Sequence, residues 1–135
     1  MEDEKIIVSG KRKRCVARAT IQNGIGKVTI NKKPYYLLPE LKRLLIEEPI
    51  RLAKEHLGKF DFDIEVVTSG GGQEASIEAA RLAIAKAIVK ISDSKELKKI
   101  FFDYDKHLLV ADTRRKEAYK PGDSKARSKR QKSYR

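Results

Sequence analysis

The segment "FDFDIEVVTSGGGQEASIEAARLAIAKAIVKIS", residues 60–92, determines the fold class. Its first part alternates without interruption, with apolar side chains on one face and carboxylates on the other. This period of two predicts a half-buried strand. After three glycines, isoleucines recur along one stripe of a 3.6-residue period, which predicts an amphipathic helix. The stripe consists of Ile77, Ile84, Ile88 and Ile91. A strand that leads through glycines into such a helix favours a helix packed on a sheet.

The preceding sequence supplies more strands. "KIIVSG", Lys5 to Gly10, predicts a short buried strand, and "CVARATIQ" and "KVTIN" flank the loop "NGIG" at residues 23–26. Two β-prone runs around a short glycine-containing loop predict a hairpin. On its first arm the small apolar side chains fall on one face, which we expect to pack inward while the arginines stay in water. The inward residues are Cys15, Ala17, Ala19 and Ile21.

Helical signals follow on both sides of the central strand. Leucines between Leu41 and Leu57 have helical spacing, and Pro49, which lacks an N–H, is expected to divide that segment into two short helices ending at Gly58. The side-chain oxygens of residues 92–94, "SDS", predict the N-cap of a further helix. The segment "HLLVAD" at residues 107–112 predicts a last short strand. The element order predicts an α+β two-layer sandwich, in which a small mixed sheet is covered by helices on one face.

The charge is unevenly distributed along the 135 residues. The formal net charge is +12, and residues 112–135 hold ten Lys or Arg against three acids, whereas residues 1–111 hold twenty-one against sixteen. We therefore expect a globular domain at 1–111 and an extended basic tail at 112–135. The last twelve residues, "SKARSKRQKSYR", have no apolar face and are not expected to fold alone. Such asymmetry indicates a polyanionic partner, either a nucleic acid or an anionic membrane.

The sequence argues against a membrane partner and against catalysis. No apolar run approaches the roughly 20 residues of a spanning helix, and the acidic start lacks the features of a signal peptide. A single cysteine, Cys15, indicates a reducing compartment. His56 and His107 have no metal-ligand spacing, and no nucleophile, base and orienting group can be assembled. We expect no metal, no cofactor, no enzymatic activity and a cytoplasmic location.

Two motifs favour phosphate binding. "GKRKRCVAR" places Lys11, Arg12, Lys13 and Arg14 at a strand junction, with Arg18 four residues on. Planar guanidinium groups and mobile ammonium groups suit phosphate oxygens, although a solvated basic loop is the plainer alternative. The glycines of "SGGG", Gly70, Gly71 and Gly72, allow backbone N–H groups to approach an anion at the following helix. A tight strand-to-helix connection explains these glycines equally well.

Four segments in this order resemble the ribosomal protein S-nine family of the small subunit, in its archaeal and eukaryotic branch. "SGKRKRCVARATI" (9–21) resembles the family pattern "GxRKxxxAR", and "NGIGKVTIN" (23–31) resembles "GxGxxxIN". "SGGG" leading into "AARLAIAKAIV" (79–89) resembles its glycine loop and "AIRxAIxxAL" helix. Residues 108–135 resemble its tail, "LLxxDxRxxExKKxGxxKARxxxQ". The ordered set spans nearly the whole chain and is specific.

The resemblance implies a fold like the second domain of ribosomal protein S-five, with a left-handed β-α-β crossover. It also implies a structural constituent of the small ribosomal subunit that binds rRNA in the head beside neighbouring head proteins. The tail would extend toward the peptidyl-site tRNA during translation. Implied RNA-binding residues, besides the two motifs above, are Arg114, Arg115, Lys116, Lys120, Lys125, Arg127, Lys129 and Arg130. The implied tRNA-proximal residues are Lys132, Ser133, Tyr134 and Arg135.

One departure from the family concerns the glycine loop. The family carries a Gly-Gln pair five to six residues before the helix arginine, whereas Ala75 and Ser76 precede Arg81 here, and the nearby glutamine is Gln73. Two alternative functions stay open: an RNA- or DNA-binding protein outside the ribosome, and a small phosphotransferase of the same broad fold.

Overall fold

A five-stranded mixed sheet and three α-helices make up the fold in the computed structural model, which describes residues 4–119. The elements are β1 (Ile6–Arg12), β2 (Cys15–Asn23), β3 (Val28–Ile30), β4 (Lys33–Pro34), α1 (Glu40–Leu57), β5 (Phe62–Ser69), α2 (Gln73–Ser92) and α3 (Lys95–Tyr104). Strand order is β1-β2-β5-β3-β4, and only the β3–β5 pair is parallel among the described strands. These elements share one hydrophobic core. The predicted α+β class is thereby confirmed.

Strand β2 has the two faces that its sequence predicts. Its four small apolar side chains, Cys15, Ala17, Ala19 and Ile21, are completely buried, and Arg18 between them is exposed. The strand predicted at residues 5–10 is present, but the prediction that it is buried is wrong. Strand β1 lies at the edge of the sheet, and only alternate residues face α2, so that Ile7 is 65% exposed.

The predicted hairpin around "NGIG" is wrong. β2 and β3 do not pair with each other, because β5 lies between them, antiparallel to β2 and parallel to β3. The β5 residue Asp63 takes the hydrogen bonds of that loop: its Oδ1 accepts N–H groups from Ile25, Gly26 and Lys27 at 3.0–3.2 Å. These bonds, that of Lys27 first, lower the pKa of Asp63. The actual hairpin joins β1 and β2.

Helix α1 also differs from its prediction. It runs through Pro49 without dividing, and it ends at Gly58 in a left-handed conformation, as expected. The proline ring is buried in the core, and this packing outweighs the missing hydrogen bond. The leucine stripe is not the buried face, since Leu41 is 78% exposed. The buried residues are Ile46, Pro49, Ile50 and Ala53.

The C-terminal elements confirm one prediction and correct another. Ser94 is the N-cap of α3, and its Oγ accepts the N–H of Leu97 at 3.2 Å. The predicted last strand is absent from the described chain. A 3-10 turn, Lys106–Leu108, takes its place, because Asp105 caps it and Leu108 is fully buried, which fixes a bend instead of an extended segment.

The contact between α2 and the β1–β2 hairpin positions everything that follows. Gly10 in β1 lies against the α2 backbone: a Cβ placed on it would be 2.5 Å from the carbonyl oxygen of Ala79 and 2.8 Å from the nitrogen of Ala83. Both alanines are fully buried. The helix therefore approaches the sheet as closely as hydrogen and methyl side chains allow.

A methyl group at Gly10 tests this contact. We expect Gly10→Ala to lower the free energy of unfolding by about 1–3 kcal/mol, because the clash is with backbone atoms that cannot rotate away. Ser9→Ala, one residue earlier and on the exposed face of the same strand, is the matched control and should change stability little. Denaturant unfolding measures both. Equal effects of the two variants would contradict the close approach.

Candidate nucleic-acid interface

The basic motif, the glycine loop and the start of the tail line one groove. Its volume is about 870 Å³, and we call it the basic groove. The lining residues are Arg12, Lys13, Arg14, Gly71, Gly72, Ala75, Arg114, Arg115 and Lys116. Six of these are cations, and no acidic side chain of residues 4–119 lines the groove. Segments some 100 residues apart in the chain thus converge on one positive surface.

The β1–β2 turn provides the first wall. Arg12 pairs with Cys15 across the hairpin, so Lys13 and Arg14 alone form the turn, and both are exposed. Lys13 adopts a left-handed backbone with φ = 53°, an uncommon conformation for a side chain other than glycine. A two-residue turn holds both cations within a short distance of the strand ends, where they are available to an anion.

Arg12 differs from the other cations of the groove because its guanidinium is paired with two carboxylates. Its Nε donates to Glu78 Oε2 of α2 at 2.5 Å, and its Nη1 forms an ion pair with Asp112 Oδ2. The Arg12 side chain is only 16% exposed. Arg12 consequently ties β1 to α2 and to the start of the tail.

Asp112 holds the first tail residues in a local turn. Its Oδ1 accepts the backbone N–H of Arg114 at 3.0 Å, and its Oδ2 accepts from Arg114 Nη2 at 2.7 Å. The Arg114 side chain and then its backbone N–H hold the pKa of Asp112 well below its ordinary value of 3.8. The same carboxylate raises the pKa of Arg114. Both groups therefore stay charged together.

The glycine loop is first of all a tight connection. Gly70 and Gly71 have φ of +76° and +65°, and a Cβ on Gly71 would be 2.9 Å from Cys15 Cβ. Gly72 is different, since its φ is −94° and no atom lies within 4 Å of its would-be Cβ. Open space at Gly72 faces the groove at the start of α2, where no side chain caps the helix. The close contacts thus support the tight-connection explanation for Gly70 and Gly71, whereas Gly72 is not constrained by such a contact.

Some sequence-predicted residues lie apart from the basic groove. Lys11 lines an adjoining cavity with Asp112 and Arg114, and Gly70 packs against the Arg14 carbonyl instead of facing the groove. Arg18 is exposed on the open face of the sheet, opposite Val67 in the β5 register. The remaining candidates lie outside the described residues: Lys120, Lys125, Arg127, Lys129, Arg130, Lys132, Ser133, Tyr134 and Arg135.

The sequence pattern did not reveal the acidic partners. Glu78 and Asp112 were not assigned a role, although the Asp-x-Arg spacing at 112–114 is a recognisable signal for a side chain that accepts a backbone N–H two residues on. It also missed Arg81, whose guanidinium bonds Glu48 of α1 and Asp105 before the 3-10 turn. Gln73, at the departure from the family pattern, accepts from Lys42 Nζ at 3.0 Å.

A small α+β domain with a groove of one charge sign has the charge arrangement that is typical of polyanion-binding proteins. In the described part of the chain, no helix is both long and apolar enough to cross a bilayer. Residues 10–135 match the family described as Ribosomal protein S9/S16. The chain therefore belongs to the ribosomal protein S9/S16 family.

Curated relatives agree with the family match over almost the full length. The chain is 46% identical over 129 residues to "Small ribosomal subunit protein uS9" of Methanococcus vannielii, covering 93% of this chain and 95% of that protein. It is 46% identical over 136 residues to the protein of the same name from Pyrobaculum aerophilum, covering 99% and 94%.

The lowered pKa of Asp112 yields a direct test of the tail's attachment. Because Arg114 favours the ionised carboxylate, the attachment is complete above pH 3.8 and weakens only as pH falls through the lowered pKa. Arg114→Gln should raise the pKa of Asp112 toward its ordinary value, while Lys116→Gln should leave it nearly unchanged. Carboxyl carbon shifts in an NMR titration measure both. A wild-type Asp112 that titrates near 3.8 would contradict the geometry.

Proposed function

We propose that this protein is a structural constituent of the small ribosomal subunit, located in the cytoplasm, that binds small-subunit rRNA through the basic groove. The single observation that carries the proposal is the convergence of six cations from the β1–β2 turn and the tail on one groove, in a chain of the S9/S16 family. The family is a structural and non-enzymatic type of protein, and this supports the ribosomal role over the phosphotransferase alternative.

Within the groove we assign phosphate contact to the exposed cations. Lys13 and Arg14 provide one wall, and Arg114, Arg115 and Lys116 provide the other. Arg12 contributes through its ion pairs, because its guanidinium is taken up by two carboxylates. Contacts of this kind fix orientation on RNA without reading its sequence. Arg18, the sheet's exposed arginine, is proposed as a separate contact.

The finer features of the fold are part of the same proposal. Adjacent parallel strands β3 and β5 are joined through α1, and we propose that this crossover is left-handed, as in the second domain of ribosomal protein S-five. The default hand for such units is right. Residues 1–111 would form the domain, and residues 112–135 would extend as a basic tail past neighbouring head proteins to the peptidyl-site tRNA.

Salt dependence and one charge variant test the rRNA contact. If six to ten phosphates are neutralised, the affinity of the full-length protein for protein-free small-subunit rRNA should fall by roughly three to five decades between 50 and 200 mM KCl. Lys13→Gln should lower the slope of log K against log salt by about one. Filter binding over the salt series measures both quantities.

The control for this variant is Lys90→Gln, which removes the same charge from the exposed C-terminal turn of α2, away from the groove. Its slope should match the wild type. A flat salt response, or equal losses in the two variants, would refute binding at the basic groove.

Cross-linking tests the tRNA contact. A photoreactive phenylalanine analogue at Tyr134, in reconstituted small subunits that hold peptidyl-site tRNA, should cross-link to the tRNA, because the tail is proposed to end there. The same analogue at Tyr119, which lies near the domain beside Lys116, should cross-link to rRNA and not to tRNA. Absence of tRNA cross-links at Tyr134, or equal yields at both positions, would refute the proposed path of the tail.

A further inference from the structure

The point where the tail leaves the domain has an unusual charge arrangement. Asp112 is an acidic residue beside a groove of six cations, and its side chain is only 13% exposed. Residues 113–119, which follow it, are exposed. Its carboxylate lies between Arg12 of the edge strand and Arg114 of the tail: it forms an ion pair with Arg12 and accepts hydrogen bonds from Arg114. We call Arg12, Asp112 and Arg114 the tail clasp.

Through Arg12, the tail clasp is bonded to the folded domain. Arg12 is held to α2 through Glu78, and the strand that carries Arg12 packs on α2 at Gly10. On the tail side, Asp112 bonds both the backbone and the side chain of Arg114. The direction of the chain after residue 112 is thus set by charge-assisted hydrogen bonds and not by apolar burial.

The consequence is the second wall of the basic groove. Arg114, Arg115 and Lys116 line the groove together with the β1–β2 turn, and they begin at the Asx turn in which Asp112 Oδ1 accepts the Arg114 N–H. Arg115 is held by the same turn, since its Nη1 donates to the backbone carbonyls of Asp112 and Arg114 at 3.3 and 3.0 Å. Without the clasp these cations would keep their charge but lose their position.

We propose that Asp112 is a positioning residue for polyanion binding, which holds the first tail cations as one wall of a two-walled phosphate site. The proposal rests on the proposed rRNA binding. A positioning role and a purely electrostatic role predict opposite changes in RNA affinity when this carboxylate is lost. Removing an acid beside an RNA surface should tighten binding through long-range attraction, whereas removing a positioning residue should weaken it, because the cations must then be ordered by the RNA itself.

The experiment compares two substitutions that each remove one negative charge. Asp112→Asn keeps the shape of the side chain and an oxygen that can accept the Arg114 N–H, but it loses the ion pairs with Arg12 and Arg114. Asp103→Asn removes a charge from the exposed face of α3. Binding of the full-length variants to protein-free small-subunit rRNA is measured at 100 mM KCl. We expect Asp112→Asn to bind about three- to tenfold more weakly, which corresponds to about 0.7–1.4 kcal/mol, the net contribution of one ordinary hydrogen bond. Asp103→Asn should bind as the wild type or slightly more tightly.

The variant Asp112→Glu distinguishes an effect of losing the carboxylate from an effect on folding stability. It keeps the charge and the acceptor oxygens on a longer arm, so it should recover part of the lost affinity, while thermal unfolding midpoints of all variants stay within a few degrees. Tighter binding by Asp112→Asn would overturn the proposal. So would a loss that Asp112→Glu does not reduce.

A second measurement needs no RNA. Nitroxide labels at Ala118→Cys in the tail and Lys90→Cys at the end of α2, both exposed, report the direction of the tail in the free protein. Double electron–electron resonance should give a narrow distribution of distances between the two labels when Asp112 is intact and a broad one in the Asp112→Asn variant. Equal widths would overturn the clasp. If Asp112→Asn broadens the distances and Lys13→Gln leaves rRNA binding unchanged, the proposed function fails while the clasp stands.

Discussion

The close packing of α2 on the β1–β2 hairpin is the constraint on which the other features depend. Gly10 has no side chain, and Ala79 and Ala83 present only methyl groups, so the helix lies directly against the strand. Because the helix lies so close to the strand, Glu78 of α2 can accept a hydrogen bond from Arg12, two residues beyond Gly10 in β1. The two-residue turn after Arg12 and the glycines before α2 are brought to the same end of the sheet. A bulkier interface would separate the cations from the glycine loop.

Two acids organise a surface whose net effect is positive. Six cations around one groove repel one another, and burial of an unpaired guanidinium is costly. Glu78 and Asp112 both pair with the most buried of them, Arg12, and Asp112 also pairs with Arg114. The remaining cations are exposed and are left to a polyanion. The acids therefore act as structural parts of a binding surface, and sequence-level charge counting, which subtracts them, underestimates that surface.

The sequence predicted the features that depend on local pattern and missed those that depend on distant partners. Alternation in β2 and β5 identified the buried faces correctly, and Ser94 identified the start of α3. The "NGIG" hairpin failed because β5, some 40 residues away, enters between two strands that are neighbours in sequence. The leucine spacing from Leu41 onward predicted a helix but did not reveal which face of it is buried. The basic groove was predicted as separate motifs, and their convergence required the fold.

The tail shows why the change from folded domain to basic extension occurs at an acidic residue. Leu108 is the last fully buried side chain of the described chain, so apolar packing no longer determines the chain's direction beyond it. A segment of cations alone would be repelled by the positive edge it leaves. Asp112 reverses this locally: its charge is attracted to Arg12, and its oxygens bond the next residues. Between Leu108 and Asp112 the interactions that hold the chain in place thus change from apolar packing to ion pairs. The sequence after residue 112 is mostly basic, and an external polyanion can supply the negative charge that it largely lacks.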